Sequence, residues 1–228
     1  MSVESVCVPG SVTDASFDVH SGEIVGLVGL EGAGRSELLN ALFGAAVSAT
    51  GSLRLAGRSA LPRSPQQAMR RGIALVPGDR KNDGLMLEMS IEENVNIART
   101  AGGWRLRPRR GAKEAAVAAQ VAQALRIQKG SSARQAGSLS GGNQQKVLLG
   151  KWIETKPAVM LLDEPTRGVD VGAKREIHGL IRDLRDRGMG VVMSSSDIEE
   201  LMVLSDRFVV MFRGRIVGEL THAEATQA

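Results

Sequence analysis

Apolar positions fall into two rhythms along the chain. Short, β-rich apolar runs at 23–29, Ile73–Val76, Val159–Asp163 and Gly190–Ser194 are each followed by a helix-like or loop segment, which predicts a parallel sheet covered by helices. Residues 12–19 and 51–57 form short strand candidates separated by turns, the pattern of an antiparallel layer beside the parallel one. Near the end, 208–212 and 215–220 flank Arg213 and Gly214, a two-residue connection that predicts a hairpin. From about 89 to 156 the rhythm turns helical. Ser90 stands three residues before Glu93 as a capping box, and Val117, Val121, Ala124 and Leu125 share one helical face. Ile177, Ile181 and Leu184 repeat that spacing, with Gly188 as a C-terminal stop. No repeat or long linker interrupts the pattern, so the simplest division is one domain, 1–228, with a helical segment at about 89–156 inside it.

Composition narrows the class. A chain that is 43% hydrophobic and 24% charged is globular rather than disordered. Its 27 glycines in 228 residues exceed the usual ~7% and imply tight turns and close backbone approaches. No apolar run nears the ~18–20 residues of a membrane span, and the first ten residues lack a basic start followed by an apolar stretch, so a cytosolic setting is expected. A single Cys7 forms no internal disulfide. His20, His178 and His222 are too scattered for a metal cluster, and His178 reads as structural. The net charge of +4 comes from 29 basic and 25 acidic residues that are dispersed, so no nucleic-acid partner is expected. The one basic run, W-R-L-R-P-R-R at 104–110, reads as a solvated turn.

Three elements carry chemistry. After the first parallel strand comes G-L-E-G-A-G-R-S, residues 29–36, which matches G-x-x-x-x-G-K-[ST] except that Arg35 replaces lysine. Glycines there let backbone N–H groups turn toward phosphate oxygens, and a helix starting near Arg35 adds the positive end of its dipole. The candidate nucleotide contacts are Gly29, Leu30, Glu31, Gly32, Ala33, Gly34, Arg35, Ser36 and Glu37, with Ser36 placed to ligate Mg²⁺. The second element is A-V-M-L-L-D-E-P, an apolar strand ending in two acids. Asp163 is placed to hold the metal shell, and Glu164 to orient or deprotonate an attacking water. The third is L-S-G-G-N-Q-Q-K-V, where Ser140, Gly141 and Gly142 precede a helix and form a second N-terminus suited to phosphate. Two anion sites in one chain make sense when a head-to-tail dimer closes the second over a nucleotide held by the partner's first.

With those elements in this order, the chain resembles the ATP-binding cassette of ABC transporters over nearly its whole length. Residues 29–36 are similar to Walker A, 139–144 to the signature, 158–164 to Walker B, and Gly168, Val169 and Asp170 to the D-loop. More narrowly, P-G-D-R-K-N-D-G-L, L-S-G-G-N-Q-Q-K-V and D-E-P-T-R-G-V-D-V-G-A-K resemble the second cassette of monosaccharide importers of the ribose, galactose and xylose type. The resemblance implies an α/β P-loop NTPase fold: a mainly parallel sheet, an antiparallel β layer and an inserted helical subdomain. It implies ATP and Mg²⁺, a second ATP-binding cassette in a homo- or heterodimer, transmembrane permease subunits, indirectly a sugar-binding protein, and a place on the inner face of the membrane. Segment 85–97 lies where the family docks its membrane partner. The family's switch histidine corresponds to Ser196, and Gly78 stands at its Q-loop glutamine. No aromatic residue precedes Phe17 to stack on adenine. With Arg35, these departures imply a partly degenerate site whose signature acts in trans. The rival reading is a nucleotide-binding partner that never hydrolyses. A Ras-type GTPase shares the P-loop but is disfavoured, because no N-K-x-D motif occurs and L-S-G-G-N would be left unexplained.

Overall fold

A computed structural model describes residues 1–101, 111–125, 127 and 132–225. In chain order its strands are β1 (Ser2–Val8), β2 (Val12–Asp18), β3 (Ile24–Val28), β4 (Thr50–Leu55), β5 (Arg58–Ser59), β6 (Ile73–Val76), β7 (Val159–Asp163), β8 (Gly190–Ser194), β9 (Arg207–Phe212) and β10 (Arg215–Thr221). The helices are α1 (Arg35–Leu42), α2 (Pro65–Arg70), α3 (Ile91–Ala101), α4 (Gly111–Ala124), α5 (Gly141–Ile153), α6 (Val171–Asp186), α7 (Ile198–Leu204) and α8 (His222–Ala225). The chain divides into two compact units: Met1–Leu75 with Pro157–Pro165 and Ile181–Ala228, and Val76–Lys156 with Thr166–Leu180. The basic run 104–110 lies outside the described residues.

The first unit carries both sheets. The larger has the order β10-β9-β3-β8-β7-β6, with β3 parallel to β8 and β9, and β7 parallel to β8. β10 closes its edge antiparallel to β9. Strands β7 and β8 are buried along their whole length, as continuous apolar runs covered on both faces should be. The expected two-residue hairpin joins β9 to β10: Arg213 and Gly214 both have positive φ, 47° and 78°, the geometry that matches strand twist. The smaller sheet is antiparallel, in the order β2-β1-β4-β5.

Strand β1 has no counterpart among the strands predicted above, for a visible reason. Its buried residues Val3, Val6 and Val8 break the two-residue alternation between Val3 and Val6, because the register with β2 shifts there, where Ser5 takes φ 49°. A bulge of this kind returns Val6 to the face that Val3 occupies.

The second unit is built on α3, α4 and α5. The capping box at α3 forms: Glu93 N–H donates to Ser90 Oγ at 3.1 Å, and Ser90 N–H to Glu93 Oε2 at 2.9 Å. The apolar face of α4 is centred one residue from its expected place. Ala118, Val121 and Leu125 are buried, while Val117 is only half-buried. That face meets α5 at Gly150, where a Cβ would lie 2.4 Å from Val121 Cγ1. Along α6, Ile177, Ile181 and Leu184 are buried as expected. Its end is a Schellman arrangement, with Gly188 N–H donating to Arg185 O, Met189 N–H to Leu184 O, and Gly188 at φ 88°.

Candidate functional site

In the first unit, the parallel strands β3, β7 and β8 have their C-terminal ends side by side, and each releases a candidate residue there. Beyond β3 the chain passes through Gly29, the exposed Leu30, Glu31 and Gly32, then enters α1 at Arg35. Gly34 caps α1 with φ 96°, a backbone that glycine adopts without strain. Any Cβ at Gly34 would lie 2.7 Å from the Ser11 carbonyl oxygen. No side chain caps α1, in contrast to α2 and α7, which Ser64 and Asp197 cap. Within the loop, Ala33 N–H closes a turn onto Leu30 O at 3.0 Å. The β9–β10 turn braces the loop from outside, as Gly214 N–H donates to Ala33 O at 3.1 Å.

The side chains beyond this loop form one connected cluster. Ser36 Oγ donates to Asp163 Oδ1 at 3.0 Å. Burial pushes the Asp163 carboxyl above its ordinary value, against the pull of the Ser36 hydroxyl, and the neighbouring Glu164 charge adds to the rise. Glu164 stands at φ 47°, a left-handed backbone that is costly for a residue with a Cβ, and its N–H donates to Ser194 O at 2.8 Å. Both oxygens of its carboxylate are engaged. Oε1 lies 3.8 Å from Arg35 Nη2, and Oε2 accepts from Ser196 Oγ at 3.0 Å. Arg35 also donates from Nη1 to the carbonyl of Ser195. Ser195 is fixed in turn, its hydroxyl donating to Glu200 Oε2 at 2.6 Å. Glu31 and Glu37 are exposed.

In the second unit, Ser140 is the N-cap of α5, and its side chain makes no capping bond to the helix backbone. Its Oγ instead accepts from Asn143 Nδ2 at 3.1 Å. Gly142 packs against the first turn of α6, and a Cβ there would lie 2.3 Å from Ala173 Cβ. Asp170 caps that turn by accepting from Ala173 N–H at 2.9 Å. Among the described residues no group of three or more His, Cys, Asp and Glu side chains is arranged to hold a metal, and no helix is long and apolar enough to cross a membrane.

The ABC transporter family profile matches residues 12–167. The chain belongs to the ABC transporter family. The ribose import ATP-binding protein RbsA of Rhodococcus jostii is 44% identical over 227 residues, covering 100% of this chain and 45% of that protein. The arabinose import ATP-binding protein AraG of Pectobacterium atrosepticum is 44% identical over 231 residues, again 100% of this chain and 45% of that protein. This ABC chain thus spans less than half the length of these curated relatives. A crystal structure of a nucleotide-free ATP-binding cassette from an ABC transporter superposes with a TM-score of 0.86 at 22% identity, covering 100% of this chain and 94% of that one. The expected fold of the ABC type is therefore present, with its parallel sheet and antiparallel layer.

Two features of the ABC chain's site escaped sequence reasoning. The capture of Arg35 by Ser195 O has no sequence signal, because the acceptor is a backbone atom. Arg80 sits within P-G-D-R-K-N-D-G-L, a segment noted above only as part of a resemblance. Its guanidinium reaches Arg167 O at 2.6 Å and Gly168 O at 3.2 Å.

Proposed function

We propose that residues 1–228 are one ATP-binding domain of a monosaccharide importer, with a helical signature segment at about 89–156, and that the chain binds ATP at residues 29–37. One observation carries the reading: Ser36 and Asp163, brought from separate elements, meet at 3.0 Å beside a helix N-terminus without a side-chain cap. A hydroxyl and a carboxylate are hard oxygen ligands, and Mg²⁺ needs few of them because it keeps waters and substrate phosphates in its shell. The buried Asp163 carboxylate, whose charge burial disfavours, fits such an ion. When bound, Mg²⁺ neutralises charge on the transferring phosphoryl group. The chain's own residues do the rest. Backbone amides of the loop and α1 hold phosphate, and Glu164 is the group placed to orient or deprotonate water. The names of the relatives, which specify ribose and arabinose import, support a pentose as the class of cargo. The partners in this reading are a second cassette, a permease in the membrane and, indirectly, a sugar-binding protein. The docking segment for the permease is 85–97, and the working place is the cytoplasmic face of the membrane.

The geometry also favours a division of labour. Glu164 is engaged on both oxygens, and Arg35, where the P-loop motif has lysine, points its donors at Ser195 O and Glu164 rather than at the loop. Turnover at this chain's own site is therefore slow. Ser140, Gly141, Gly142 and Asp170 act on the nucleotide of a second cassette, which uses its own catalytic machinery. ATPase activity is to be measured with this chain paired with a cassette that carries a P-loop lysine. Ser140→Arg is expected to remove most turnover, about a hundredfold or more, because losing one oxyanion-type contact costs ~10²–10³ in kcat, while Arg35→Ala costs no more than about twofold. Equal losses overturn the asymmetry. No binding heat with Mg-ATP overturns the site itself.

A further inference from the structure

The segment 77–85 is the one sequence motif that the proposed function leaves without a task. It is laid along one face of α5. Asp79 opens a tight turn over Arg80–Gly84 by accepting from Asn82 N–H at 3.1 Å, Asn82 Nδ2 at 2.7 Å and Lys81 N–H at 3.0 Å, contacts that hold its carboxyl below the usual range. Three points then bind the turn to residues spaced four and three apart on α5. Arg80 Nε faces Gln144 Oε1 at 3.5 Å, Gly84 packs on Leu148 so closely that a Cβ would lie 2.8 Å from Cδ2, and Gly84 O accepts from Lys151 Nζ at 2.8 Å. Lys151 is half-buried, and its partial burial pushes the ammonium below the ordinary value.

What this seating achieves is the position of one guanidinium. The two terminal nitrogens of Arg80 donate to successive carbonyls, Arg167 O and Gly168 O, in the loop that leads into α6. The same nitrogen Nη2 lies 2.9 Å from where a Cβ on Gly141 would stand, and the Gly168 carbonyl lies 3.0 Å from it. A side chain at 141 would therefore crowd both the guanidinium and the carbonyl that it holds. The backbone of Gly141 needs no left-handed conformation, since its φ is not among the positive values. The arginine bridges the start of α5, carrying Ser140–Gly142, and the loop carrying Asp170. A planar fork spans two carbonyls in a way that the single ammonium of lysine does not.

We propose that Arg80 is a positioning residue: it fixes the Ser140–Gly142 turn and the 166–170 loop as one unit, so that they meet a partner's nucleotide together. The inference rests on the trans-acting reading above. It predicts a defect that appears only when a partner's nucleotide must be engaged, because misplacement of positioned groups by about 1 Å costs up to roughly a hundredfold in rate.

The test uses the full chain paired with a cassette that bears a P-loop lysine, and compares Arg80→Ala, Arg80→Lys and Ser140→Arg. Arg80→Ala is expected to lower kcat tenfold or more, and Arg80→Lys to lower it at least threefold. Mg-ATP affinity of the unpaired variants should stay within twofold of wild type. Millimolar guanidinium ion, well below denaturing concentrations, is expected to restore part of the Arg80→Ala activity and none of the Ser140→Arg activity. A general loss of fold would not respond in this way. Wild-type turnover in Arg80→Ala or Arg80→Lys, with Ser140→Arg inactive, overturns the role of Arg80 and leaves the trans reading standing. Full turnover in Ser140→Arg removes the trans reading, and the role of Arg80 with it.

Discussion

At the scale of single residues, the site is governed by where a few donors are spent. Arg35 has ~five N–H donors in a rigid fork, and two of its nitrogens face Ser195 O and Glu164. Lysine at this position has a shorter reach and one nitrogen, so it cannot keep both contacts. Arg35→Lys is therefore expected to return the cation to the phosphates and to tighten Mg-ATP binding at least threefold in calorimetry on the unpaired chain. Weaker binding in the lysine variant would mean that Arg35 already serves the nucleotide. The motif alone shows that a cation stands at 35. It does not show what that cation faces, since the deciding acceptor is the carbonyl of a residue far along the chain.

At the scale of elements, spacing in the sequence predicts which faces are apolar, and packing decides how close two faces come. Gly150 in α5 illustrates the difference. A Gly→Ala change inside a helix ordinarily gains ~1 kcal/mol. Here the new Cβ would meet Val121 Cγ1 at 2.4 Å and Leu125 Cδ1 at 2.8 Å, and a β-branched valine has little rotamer freedom to withdraw. Gly150→Ala should therefore destabilise, by about 1–3 kcal/mol, as overpacked cores do. The same change at Gly179 in α6, where nothing lies within 4 Å of the new Cβ, should be neutral or stabilising. Thermal unfolding of the two variants checks the prediction, and a stabilised Gly150→Ala would refute the close contact of α4 and α5. Element boundaries follow the same logic. The capping box at Ser90 and the glycine stop at Gly188 are local chemistry and lie where the sequence places them. The bulge that hides β1 depends on its pairing with β2.

At the scale of the whole molecule, long-range polar ties hold the starts of β3 and β9. Glu23, just before β3, accepts from Arg207 Nε at 3.0 Å and from His20 N–H at 2.8 Å, while Arg207 also donates to Asp18 O. Burial alone would raise the Glu23 carboxyl, but the Arg207 and His20 donors outweigh it and hold it below its ordinary value. A lowered folded value means that the carboxylate contributes stability above the unfolded value, which is lost as pH falls through the folded one. Glu23→Gln should thus lower Tm by roughly 1–3 °C at pH 7, and the gap should close as the pH is taken below 4.5. A gap that persists at low pH would assign the effect to shape rather than charge. The sequence by itself determined the alternation of strands and helices, the phosphate loop, the acid pair after β7 and the glycine-rich start of α5. Each of these is a local pattern, in which neighbouring residues fix backbone conformation or share one face. Tertiary structure alone decided that Arg35 is drawn to Ser195 and Glu164, and that Arg80 grips the loop before α6. Those contacts join residues far apart in the chain, often through backbone acceptors that every residue possesses, so no residue type announces them.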